Sequence, residues 1–347
     1  MLKKSLFTHL EDGSPVYLYR ITNRFGEYVE ILNYGACIHS VCVLDKNGQL
    51  GDVVLGIRSP ESLTKEGLTG ITIGRCANRI AGGRFSLNGK TVQLECNQRG
   101  NHLHGASGNY GRQLFCELPT LRENQVRLGF TDVGAGGYNN TVEVTVAFSF
   151  GDDHRLEIHY HMAGQEDTLL CPTNHAYFHL DSSPDILRHT LCIHAQRYAV
   201  PGPQGIPEGK TAPVAGTPFD FRCPRPIGDA LREETAEFFS RQPPVIDDTF
   251  LLGHPAGQME LAARLESQES GRIMEVYADM PAMVVFTRYL REPCIGKHEQ
   301  VYQGYQAIAL ETQYVPNAVN CTTFDVPLFP AGTPLDSATV YAFGVQK

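Results

Sequence analysis

Alternation of apolar and polar residues is the feature that most constrains how this chain can fold. The segment VEVTVAFSF, residues 142–150, puts valine or phenylalanine at every second position, with mostly polar residues between them. Because successive side chains of a strand point to opposite faces, this period of two indicates a half-buried strand of an antiparallel sheet. The segment RLEIHYHMAG, residues 155–164, shows the same pattern, and its His159 and His161 fall on the polar face. We therefore expect these two histidines to lie at the surface.

The strand pattern recurs along the whole chain. Further predicted strands are VYLYRITN (16–23), YVEILNY (28–34), KTVQLEC (90–96), QVRLGFT (125–131), RIMEVYAD (272–279), AMVVFTRYL (282–290), QAIALETQYV (306–315) and ATVYAFGV (338–345). Helical patterns are few and short, and the best are PESLTKEG (60–67) and IGDALREETAEFF (227–239). The Pro- and Gly-rich stretch 201–226 also carries large apolar residues, so we expect an ordered loop that packs over a sheet. Many strands with few helices favour an all-β sandwich or barrel over a βαβ arrangement.

Composition narrows the function classes. The chain has 347 residues, 42% of them hydrophobic and 19% charged, which is typical of a globular protein. Its net charge is −9 and it has no basic block, so nucleic acid and anionic membranes are poor candidates for partners. No apolar run is long enough for a membrane span, and the N-terminal segment does not resemble a signal peptide. Ten cysteines without a C-x-x-C spacing are expected to stay reduced, and the predicted location is cytoplasmic.

Four segments bring polar chemistry into apolar or tightly turning surroundings. They are GRCANRI (74–80), NHLHG (101–105), TNHAYF (173–178) and ALETQ (309–313). In the last segment the alternation puts Glu311 on the same face as the small Ala309, as expected for a concave face with room for a ligand. His175 has the small Ala176 beside it, and His104 precedes a glycine, where the backbone can approach closely.

These side chains allow two kinds of chemistry. Histidine suits proton transfer near neutral pH, and a carboxylate facing it would complete an acid–base pair. The same groups suit a metal, because His102, His104, His175 and Glu311 form a plausible ligand set. Residue types and spacing leave both readings open.

Six segments, taken in chain order, resemble the aldose 1-epimerase (galactose mutarotase) family. They are IGRCANRIAGGRFSLNGK, NHLHG, TNHAYFHL, IPEGKTAPVAGTPFDFR, DDTFLL and ALETQYVPNAVN. The resemblance covers nearly the whole chain. It implies one large antiparallel β-sandwich of the galactose mutarotase-like supersandwich type, with few short helices. It further implies a single domain over residues 1–347, with the sugar in an open cleft on a concave sheet.

The resemblance also implies an activity and residue roles. The implied enzyme is an isomerase that interconverts the α and β anomers of a free aldohexose such as galactose or glucose. Glu311 matches the general base that takes the proton of the anomeric hydroxyl, and His175 matches the general acid that protonates the ring oxygen. His104 matches a second histidine that binds near the ring oxygen and assists. The matching sugar-binding positions are Asn78, Arg79, His104, Tyr177, Asp247 and Phe286.

The reaction implied by the resemblance needs no metal and no organic cofactor. We expect Glu311 to be ionised, with the positive charge of Arg79 stabilising the carboxylate. The expected partner is a small aldose, and the expected assembly is a monomer or weak homodimer.

Several positions depart from the family pattern. Asp248 stands where histidine is frequent, Phe115 replaces a tryptophan, and Ala106 replaces the second glycine after the histidine. The family segment Q-x-Y-[ST]-x-N reads VVFTRY here, at residues 284–289. Val284 takes the place of the glutamine, and Phe286 keeps an aromatic surface. His179 stands where asparagine is usual. The acid and the base are retained, so these departures bear on the preferred sugar, since loss of an amide removes a hydroxyl contact.

Three alternatives stay open at the level of sequence. One is a sandwich that binds carbohydrate without turnover. Another is a metal-dependent sugar isomerase that uses His102, His104, His175 and Glu311. The third is a variant of the leading reading that acts on phosphosugars. It would need cationic groups at the rim of the cleft, for which Arg288 and Lys297 are candidates.

Overall fold

The protein is built almost wholly from antiparallel strands. The computed structural model describes residues 1–60, 69–120, 122–233 and 243–346. The first strands are β1 (Leu2–His9), β2 (Pro15–Thr22), β3 (Tyr28–Leu32), β4 (Cys37–Leu44), β5 (Leu50–Asp52), β6 (Thr72–Ile73), β7 (Arg79–Ile80), β8 (Arg84–Leu87), β9 (Lys90–Gln93) and β10 (His102–Leu103). The central strands are β11 (Cys116–Leu118), β12 (Gln125–Asp132), β13 (Val142–Phe150), β14 (Arg155–Gly164), β15 (Thr168–Leu169), β16 (Thr173–Asn174), β17 (Tyr177–Phe178), β18 (Thr190–Ile193), β19 (Arg197–Pro201) and β20 (Pro207–Pro213). The last strands are β21 (Arg225–Pro226), β22 (Asp247–Leu251), β23 (Glu260–Glu266), β24 (Arg272–Ala278), β25 (Ala282–Ile295), β26 (Val301–Gln313), β27 (Leu328–Phe329) and β28 (Leu335–Val345).

The helices in the described part of the chain are short. Helix α1 spans Ile227–Leu231. The 3₁₀ turns are Ala81–Gly83, Ala106–Gly108, Tyr110–Arg112, Ala135–Gly137, Pro203–Gly205, Lys297–Glu299 and Ala318–Asn320. The predicted helix at 227–239 is therefore observed for its first turn, and its residues from 234 onward lie outside the described residues, as does the predicted helix at 60–67 apart from Pro60. No helix in the described ranges has the length and apolar character needed to cross a membrane.

Three larger sheets form the architecture. A five-stranded meander runs in the order β1-β2-β3-β4-β5, and a nine-stranded sheet in the order β11-β12-β13-β14-β28-β24-β23-β18-β21. A six-stranded sheet has the order β17-β26-β25-β22-β19-β20. The strand pairings within these sheets are antiparallel. This is the all-β antiparallel architecture that the alternation predicts, and it is the sandwich that the family resemblance implies.

The six-stranded and nine-stranded sheets pack face to face. The Phe178 ring of β17 lies 4.7 Å from the Tyr341 ring of β28, measured between centroids. The hydroxyl groups of Thr312 on β26 and Thr339 on β28 are 2.5 Å apart. One cluster of buried apolar side chains runs from Val16 to Phe343 and includes residues of all three larger sheets. One face of the six-stranded sheet is thus committed to this core, which leaves its other face for a site.

The predicted strands agree with the observed ones. In β14, alternate residues from Leu156 to Met162 are buried, while His161 on the other face is exposed, as predicted. The Pro- and Gly-rich stretch differs from the prediction of a loop, because residues 207–213 form strand β20. The order of the sheet explains this difference. Strand β20 is an edge strand, and an edge tolerates prolines that lack an N–H group for a further ladder.

Candidate functional site

Strand β26 carries Glu311 on the face of its sheet that points away from the core. Its neighbours Ile308 and Leu310 are buried in the main core cluster. Glu311 pairs directly with Val284 of β25. Residues opposite each other in an antiparallel pair share a face, so Glu311 and Val284 lie side by side. The small–acidic alternation in ALETQ therefore predicted the correct face.

A second row of side chains crosses the same face two residues along the strand. Ala309 of β26 pairs with Tyr177 on one side and with Phe286 on the other. Phe286 in turn pairs with Asp247 of β22. The rings of Tyr177 and Phe286 have centroids 6.2 Å apart. Three of the predicted sugar-binding residues thus lie in one row beside Glu311, around the fully buried Ala309.

Backbone hydrogen bonds hold His175 at the edge of this face. Its N–H donates to Ile71 O, and its carbonyl accepts from Gly70 N, both at 2.9 Å. Asn174 is a structural residue, because its side chain bonds Gly70 O and the Ala176 N–H. The Nε2 atom of His175 lies 3.4 Å from Oε1 of Glu311, and the two side chains are 5% and 3% exposed. The structure therefore brings the two residues of the predicted acid–base pair into contact, 136 positions apart in the sequence.

A left-handed turn presents His104 to the pair. His104 has a φ of +52° and Gly105 a φ of +82°. A side chain at position 105 would bring its Cβ to 2.1 Å from Gly74 O, so glycine is required for this close approach. The ring of His104 lies 5.6 Å from the ring of His175 between centroids. A non-glycine residue held in this conformation costs about 1–3 kcal/mol and is characteristic of functional sites.

The hydrogen bonds of His104 define its protonation state. The backbone N–H of Asn78 donates to ring atom Nδ1 of His104 at 3.1 Å. The backbone N–H of His104 donates in turn to Asn78 O at 3.0 Å. Burial, followed by the charges of His175 and Arg79, lowers the pKa of His104 well below its usual value. A neutral imidazole that accepts at Nδ1 carries its proton at Nε2. His104 can therefore offer one N–H donor.

Burial acts in opposite directions on the two members of the pair. It raises the pKa of Glu311 to about 8, and the negative charge of Asp247 adds to this effect. It lowers the pKa of His175 to about 3, with the positive charge of Arg288 acting in the same direction. Between these two values the pair holds one proton in total. Because burial disfavours charge on either group, these shifts favour the proton on Glu311 over the proton on His175.

The expectation that Arg79 keeps Glu311 ionised is therefore wrong, because the pKa of Glu311 is raised. Arg79 does lower the pKa of Glu311, but burial and Asp247 outweigh it. The Nε atom of Arg79 donates to the Gln98 side chain at 2.7 Å, which fixes the guanidinium at the border of the site. A buried carboxyl group of this kind, with a raised pKa, is a frequent property of catalytic carboxylates.

His102 of the metal-dependent alternative and Lys297 of the phosphosugar alternative do not lie at this site. The Nδ1 atom of His102 is 2.8 Å from Glu95 O, and its Nε2 atom is 3.4 Å from the Tyr138 hydroxyl. His102 is thus not part of the ligand set proposed with His104, because the left-handed turn at 104 sends the two rings apart. Lys297 is not a rim cation either, since its buried Nζ atom binds His39 O and Asp52 Oδ2, both at 2.7 Å.

The departures from the family pattern fall partly outside the site. Phe115 is buried against Phe130, with ring centroids 4.6 Å apart, so this change concerns the core. Asp248 pairs with Val285 on the core side of the sheet. His179 bonds to Asp181 and Ser183, both at 3.2 Å from its Nε2 atom. Val284 beside Glu311 is the departure that changes the site face itself.

Gln313 is a site residue that the sequence-based list omits. It follows Glu311 by two positions on β26, and its Nε2 atom lies 3.5 Å from Oε2 of Glu311. Its Oε1 atom is buried and has no hydrogen-bond partner among the described residues. The alternation that selected Ala309 and Glu311 also selects position 313, so the same signal could have found it.

Three side chains could also hold a metal ion. Ligand atoms of His104, His175 and Glu311 lie within 4.8 Å of one another. Two neutral imidazoles and one carboxylate are a usual donor set for a divalent transition metal. The ligand set of the metal-dependent alternative therefore shrinks from four residues to three.

The described part of the chain has surface depressions away from this sheet face. Two surface depressions of about 570 and 660 Å³ lie elsewhere, the first beside Tyr138 and Asn140 and the second beside Arg127 and His159. Neither contains a residue of the His175–Glu311 pair. The chemistry of the sheet face, rather than the size of a depression, identifies the site.

An antiparallel sandwich that buries a histidine–carboxylate pair on one sheet is suited to acid–base chemistry on a small molecule. Residues 17–342 match the family model described as aldose 1-epimerase. The chain is 34% identical over 322 residues to galactose mutarotase of Rattus norvegicus, covering 91% of each chain. It is 29% identical over 337 residues to aldose 1-epimerase of Escherichia coli strain K12, covering 96% of each.

Solved structures agree in fold. An aldose epimerase homologue from C. elegans superposes with a TM-score of 0.86 at 24% identity, over 95% of this chain and 99% of the other. A galactose 1-epimerase from Lactobacillus acidophilus gives a TM-score of 0.85 at 24% identity, over 100% of this chain and 99% of the other. The chain belongs to the aldose 1-epimerase family. It is accordingly an isomerase of the class that acts on carbohydrates.

Proposed function

We propose that the protein is an aldose 1-epimerase that interconverts the α and β anomers of a free aldohexose such as galactose or glucose. Glu311 is the general base and His175 the general acid. The observation that carries this proposal is the 3.4 Å contact between two buried groups, Nε2 of His175 and Oε1 of Glu311. The names of the relatives in rat and in E. coli support the reaction class.

The short contact suits the geometry of a hemiacetal. The anomeric oxygen O1 and the ring oxygen O5 are bonded to the same carbon, C1, so two groups that contact them must themselves be close together. A general acid or base acts at hydrogen-bond distance from its oxygen. A histidine and a carboxylate in contact on one sheet face meet both conditions, whereas widely separated groups would not.

The proton count of the pair matches the reaction. The Glu311 carboxylate takes the O1 proton while the His175 imidazolium gives a proton to O5. The C1–O5 bond breaks, its electron pair goes to O5, and C1 becomes a carbonyl carbon. Rotation about C1–C2 exposes the other face of the carbonyl, and the reverse transfers close the ring. The pair holds one proton throughout, which is also its proton count at a pH between the two pKa values.

The bound sugar selects the ionic form of the pair. Burial by itself favours a neutral pair with the proton on Glu311. A ring oxygen has no hydrogen of its own and accepts hydrogen bonds only, so a group that faces O5 must donate. The O1 hydroxyl donates to a carboxylate. Binding with O1 at Glu311 and O5 at His175 therefore moves the proton from Glu311 to His175 and prepares the reaction.

The remaining residues bind and orient the sugar. In this proposal His104 donates from Nε2 near the ring oxygen, and Arg79, Asn78 and Asp247 bind hydroxyl groups, supported by the Nδ1 hydrogen bond of His104 and by the charges of Arg79 and Asp247 near Glu311. Tyr177 and Phe286 provide an apolar wall for the C–H face of the ring, as aromatic side chains do for sugars. We infer further that the chain folds as a single domain over residues 1–347 and works as a monomer or weak homodimer, which limited proteolysis and light scattering would test.

The activity is tested by polarimetry on freshly dissolved α-sugars. We expect acceleration over buffer on at least one aldose of a broad panel, and loss of about 10²–10⁴-fold in kcat for His175→Ala. His161→Ala is the matched control, because His161 is an exposed histidine on the nine-stranded sheet, and its rate should equal that of the wild type. No acceleration on any aldose would reject the reaction, and an unchanged His175→Ala rate would reject the residue assignment.

Two further measurements test the alternatives of a carbohydrate-binding protein without turnover and a metal-dependent isomerase. Sugar binding measured by calorimetry without anomerisation would favour the binding protein. Loss of activity with a chelator, restored by a divalent metal, would favour a metal at His104, His175 and Glu311. We expect activity to be insensitive to chelation, because the acid–base pair supplies both proton transfers.

A further inference from the structure

Cys76 and Cys171 are neighbours inside the protein, and the proposed reaction uses neither of them. They are partners in an isolated parallel bridge outside the larger sheets. The Ala77 N–H donates to Cys171 O at 2.8 Å, and the Cys171 N–H donates to Arg75 O at 3.0 Å. Neighbouring strands lie about 4.8 Å apart, which falls within the range of about 4.4–6.8 Å between Cα atoms that a disulfide requires. The backbone therefore permits a bond between these two sulfur atoms.

The two thiol groups also interact with each other. Hydrogen bonding to Cys171, followed by burial, raises the pKa of Cys76 well above its usual value. The hydrogen bond from Cys76 lowers the pKa of Cys171, and the backbone N–H groups of Tyr314 and Ala77 act in the same direction against the effect of burial. Cys171 is thus the more acidic thiol of the pair. Because the thiolate is the nucleophilic form of cysteine, Cys171 is the sulfur that reacts first.

The cysteine pair lies where three segments of the proposed active site meet. Cys76 precedes Asn78 by two residues, and Cys171 precedes His175 by four. The N–H of Tyr314, at the end of the strand that carries the general base, faces the Cys171 sulfur. A bond between the two sulfurs would therefore tie the segment of Asn78 to the segment of His175.

Burial decides which reagents can reach the pair. Cys76 is 6% exposed and Cys171 is 2% exposed, so bulky thiol reagents are excluded. Oxidation then needs a small oxidant and local opening of the protein. An isolated bridge outside a larger sheet is a place where local opening costs less than unfolding of the core.

We propose that Cys76 and Cys171 are a redox modification site, at which a hydroperoxide forms a reversible disulfide that lowers the activity of the neighbouring site. Formation of the disulfide is independent of the proposed function, whereas its effect on kcat rests on that function. All ten cysteines are free thiols in the structure, so the form described is the reduced one. Disulfides that form transiently in proteins with otherwise reduced thiols are usually regulatory or catalytic.

The oxidation balances with hydrogen peroxide as the oxidant. The Cys171 thiolate attacks one peroxide oxygen, the O–O bond breaks, and the released hydroxide becomes water with the proton that the Cys171 thiol gave up. The Cys76 sulfur then attacks the sulfenic acid at Cys171. The S–S bond forms, the S–O bond breaks, and the second hydroxide takes the Cys76 proton to become water. The two thiols lose two electrons, and the peroxide gains them.

The disulfide should change the geometry of the site. A covalent S–S bond is shorter than a non-bonded contact between two thiols, so it draws the two segments together. The backbone N–H of Asn78 holds ring atom Nδ1 of His104 at 3.1 Å, so a shift at Cys76 is passed on to His104 as well as to His175. A misplacement of about 1 Å can cost on the order of 100-fold in rate. We expect kcat of the oxidised protein to be lower by roughly 10- to 100-fold and to recover on reduction.

The test combines peptide mapping with kinetics. The reduced protein is treated with hydrogen peroxide, its free thiols are alkylated after denaturation, and its peptides are analysed by mass spectrometry. We expect a peptide pair linked through Cys76 and Cys171, two hydrogens lighter than the reduced pair, and a fall in kcat that dithiothreitol reverses. Cys76→Ala and Cys171→Ala should each keep their own kcat under the same treatment.

Controls separate the disulfide from general oxidative damage. Cys42→Ala is the matched variant, because Cys42 is also 6% exposed and lies on β4 opposite Asp52. It should lose activity on oxidation as the wild type does. Each variant is compared before and after treatment, so a partial folding defect cancels, and the linked peptide of the wild type needs no variant at all.

The outcomes that oppose the inference are distinct. Absence of the linked peptide, under treatment that oxidises the exposed Cys96, would overturn it. A linked peptide with unchanged kcat would overturn the regulatory effect, as would an equal loss of activity in both alanine variants of the pair. Absence of turnover in the reduced protein would instead reject the proposed function, and the linked peptide alone would then decide whether the disulfide forms.

Discussion

Two histidine–carboxylate contacts lie only four residues apart in the segment TNHAYFHL, and they differ in chemistry. His175 meets Glu311 at 3.4 Å, while His179 meets Asp181 at 3.2 Å. Both contacts are shielded from solvent, with every side chain between 3% and 6% exposed. Residue type, distance and burial therefore do not distinguish them.

The hydrogen-bond donors around each carboxylate make the difference. Asp181 accepts from His179, from the Ser183 N–H at 2.8 Å and from the Ser267 hydroxyl at 2.5 Å. Although burial raises its pKa, these bonds and the charge of His189 outweigh burial and hold the pKa of Asp181 well below its usual range. Among the described residues, the side-chain hydrogen bond to Glu311 is a weak one from Gln313 at 3.5 Å, and the pKa of Glu311 is raised to about 8. A carboxylate rich in donors is fixed as an anion, whereas one with few donors can exchange a proton.

The largest expected effect is a difference in kcat between variants of the two carboxylates, Glu311 and Asp181. Glu311→Gln should lower kcat by about 10²–10⁴-fold, because the amide cannot take the O1 proton. Asp181→Asn should change kcat by less than about threefold, because Asp181 organises Ser183 and Ser267 and takes no part in the proposed reaction. Polarimetry on the sugar that the wild type turns over measures both. Comparable losses in the two variants would contradict the distinction.

The pH dependence of kcat/KM tests the shared proton. Above pH about 8 the pair loses its only proton, and none remains for O5. Below pH about 3 both groups are protonated, and none can take the O1 proton. We expect a plateau between these limits and a tenfold fall per pH unit beyond each of them, after subtraction of the buffer rate. An activity that keeps rising above pH 9 would show that the active form is the fully deprotonated pair.

Stability should respond to pH with opposite signs at the two sites. The folded-state pKa of Glu311 is raised, so its contribution is complete below about pH 4.5 and is lost as the pH rises toward about 8. In thermal denaturation, the free energy of unfolding of Glu311→Gln should rise relative to that of the wild type over this pH range, by on the order of 1–3 kcal/mol.

The folded-state pKa of Asp181 is lowered, so its contribution is present above its unfolded value of 3.8 and is lost as the pH falls. Asp181→Asn should therefore be destabilised at pH 7 by about 2 kcal/mol, since buried donors lose a charged acceptor. The difference in free energy of unfolding between Asp181→Asn and the wild type should become smaller at acidic pH. If the free energies of unfolding of the two variants changed with pH in parallel, the two carboxylates would be held in the same way.

The smallest expected effect concerns Gln313. Its hydrogen bond lowers the pKa of Glu311, so Gln313→Leu should move the alkaline limit of the pH profile upward by at most about one unit. Gln303→Leu alters an exposed glutamine of the same strand and should leave the limit in place. A downward shift in Gln313→Leu would mean that Gln313 favours the protonated form.

Sequence patterns predicted the elements that depend on local order. Period-two alternation located β13, β14, β25 and β26, because a strand with one buried face needs apolar residues at every second position. The same alternation put Glu311 on the open face. The strand β20 was missed because prolines indicate a loop unless the strand lies at an edge, and edge position depends on the whole sheet.

Properties that depend on distant residues could not be predicted in this way. The pKa of Asp181 depends on Ser267, which lies 86 positions away. The exclusion of His102 follows from the positive φ of His104, which turns the second histidine away from the strand. The burial of Lys297 depends on its bond to Asp52, 245 positions away. A single sequence contains these residues but not their distances.

In the proposed mechanism His175 and Glu311 share one proton and deliver it between O1 and O5. A crystal structure of Glu311→Gln with a bound aldose that the wild type turns over tests it most directly. We expect O1 within hydrogen-bond distance of the side chain at 311 and O5 within hydrogen-bond distance of Nε2 of His175. An anomeric centre bound away from this pair, or O1 at His175 with O5 at position 311, would contradict it.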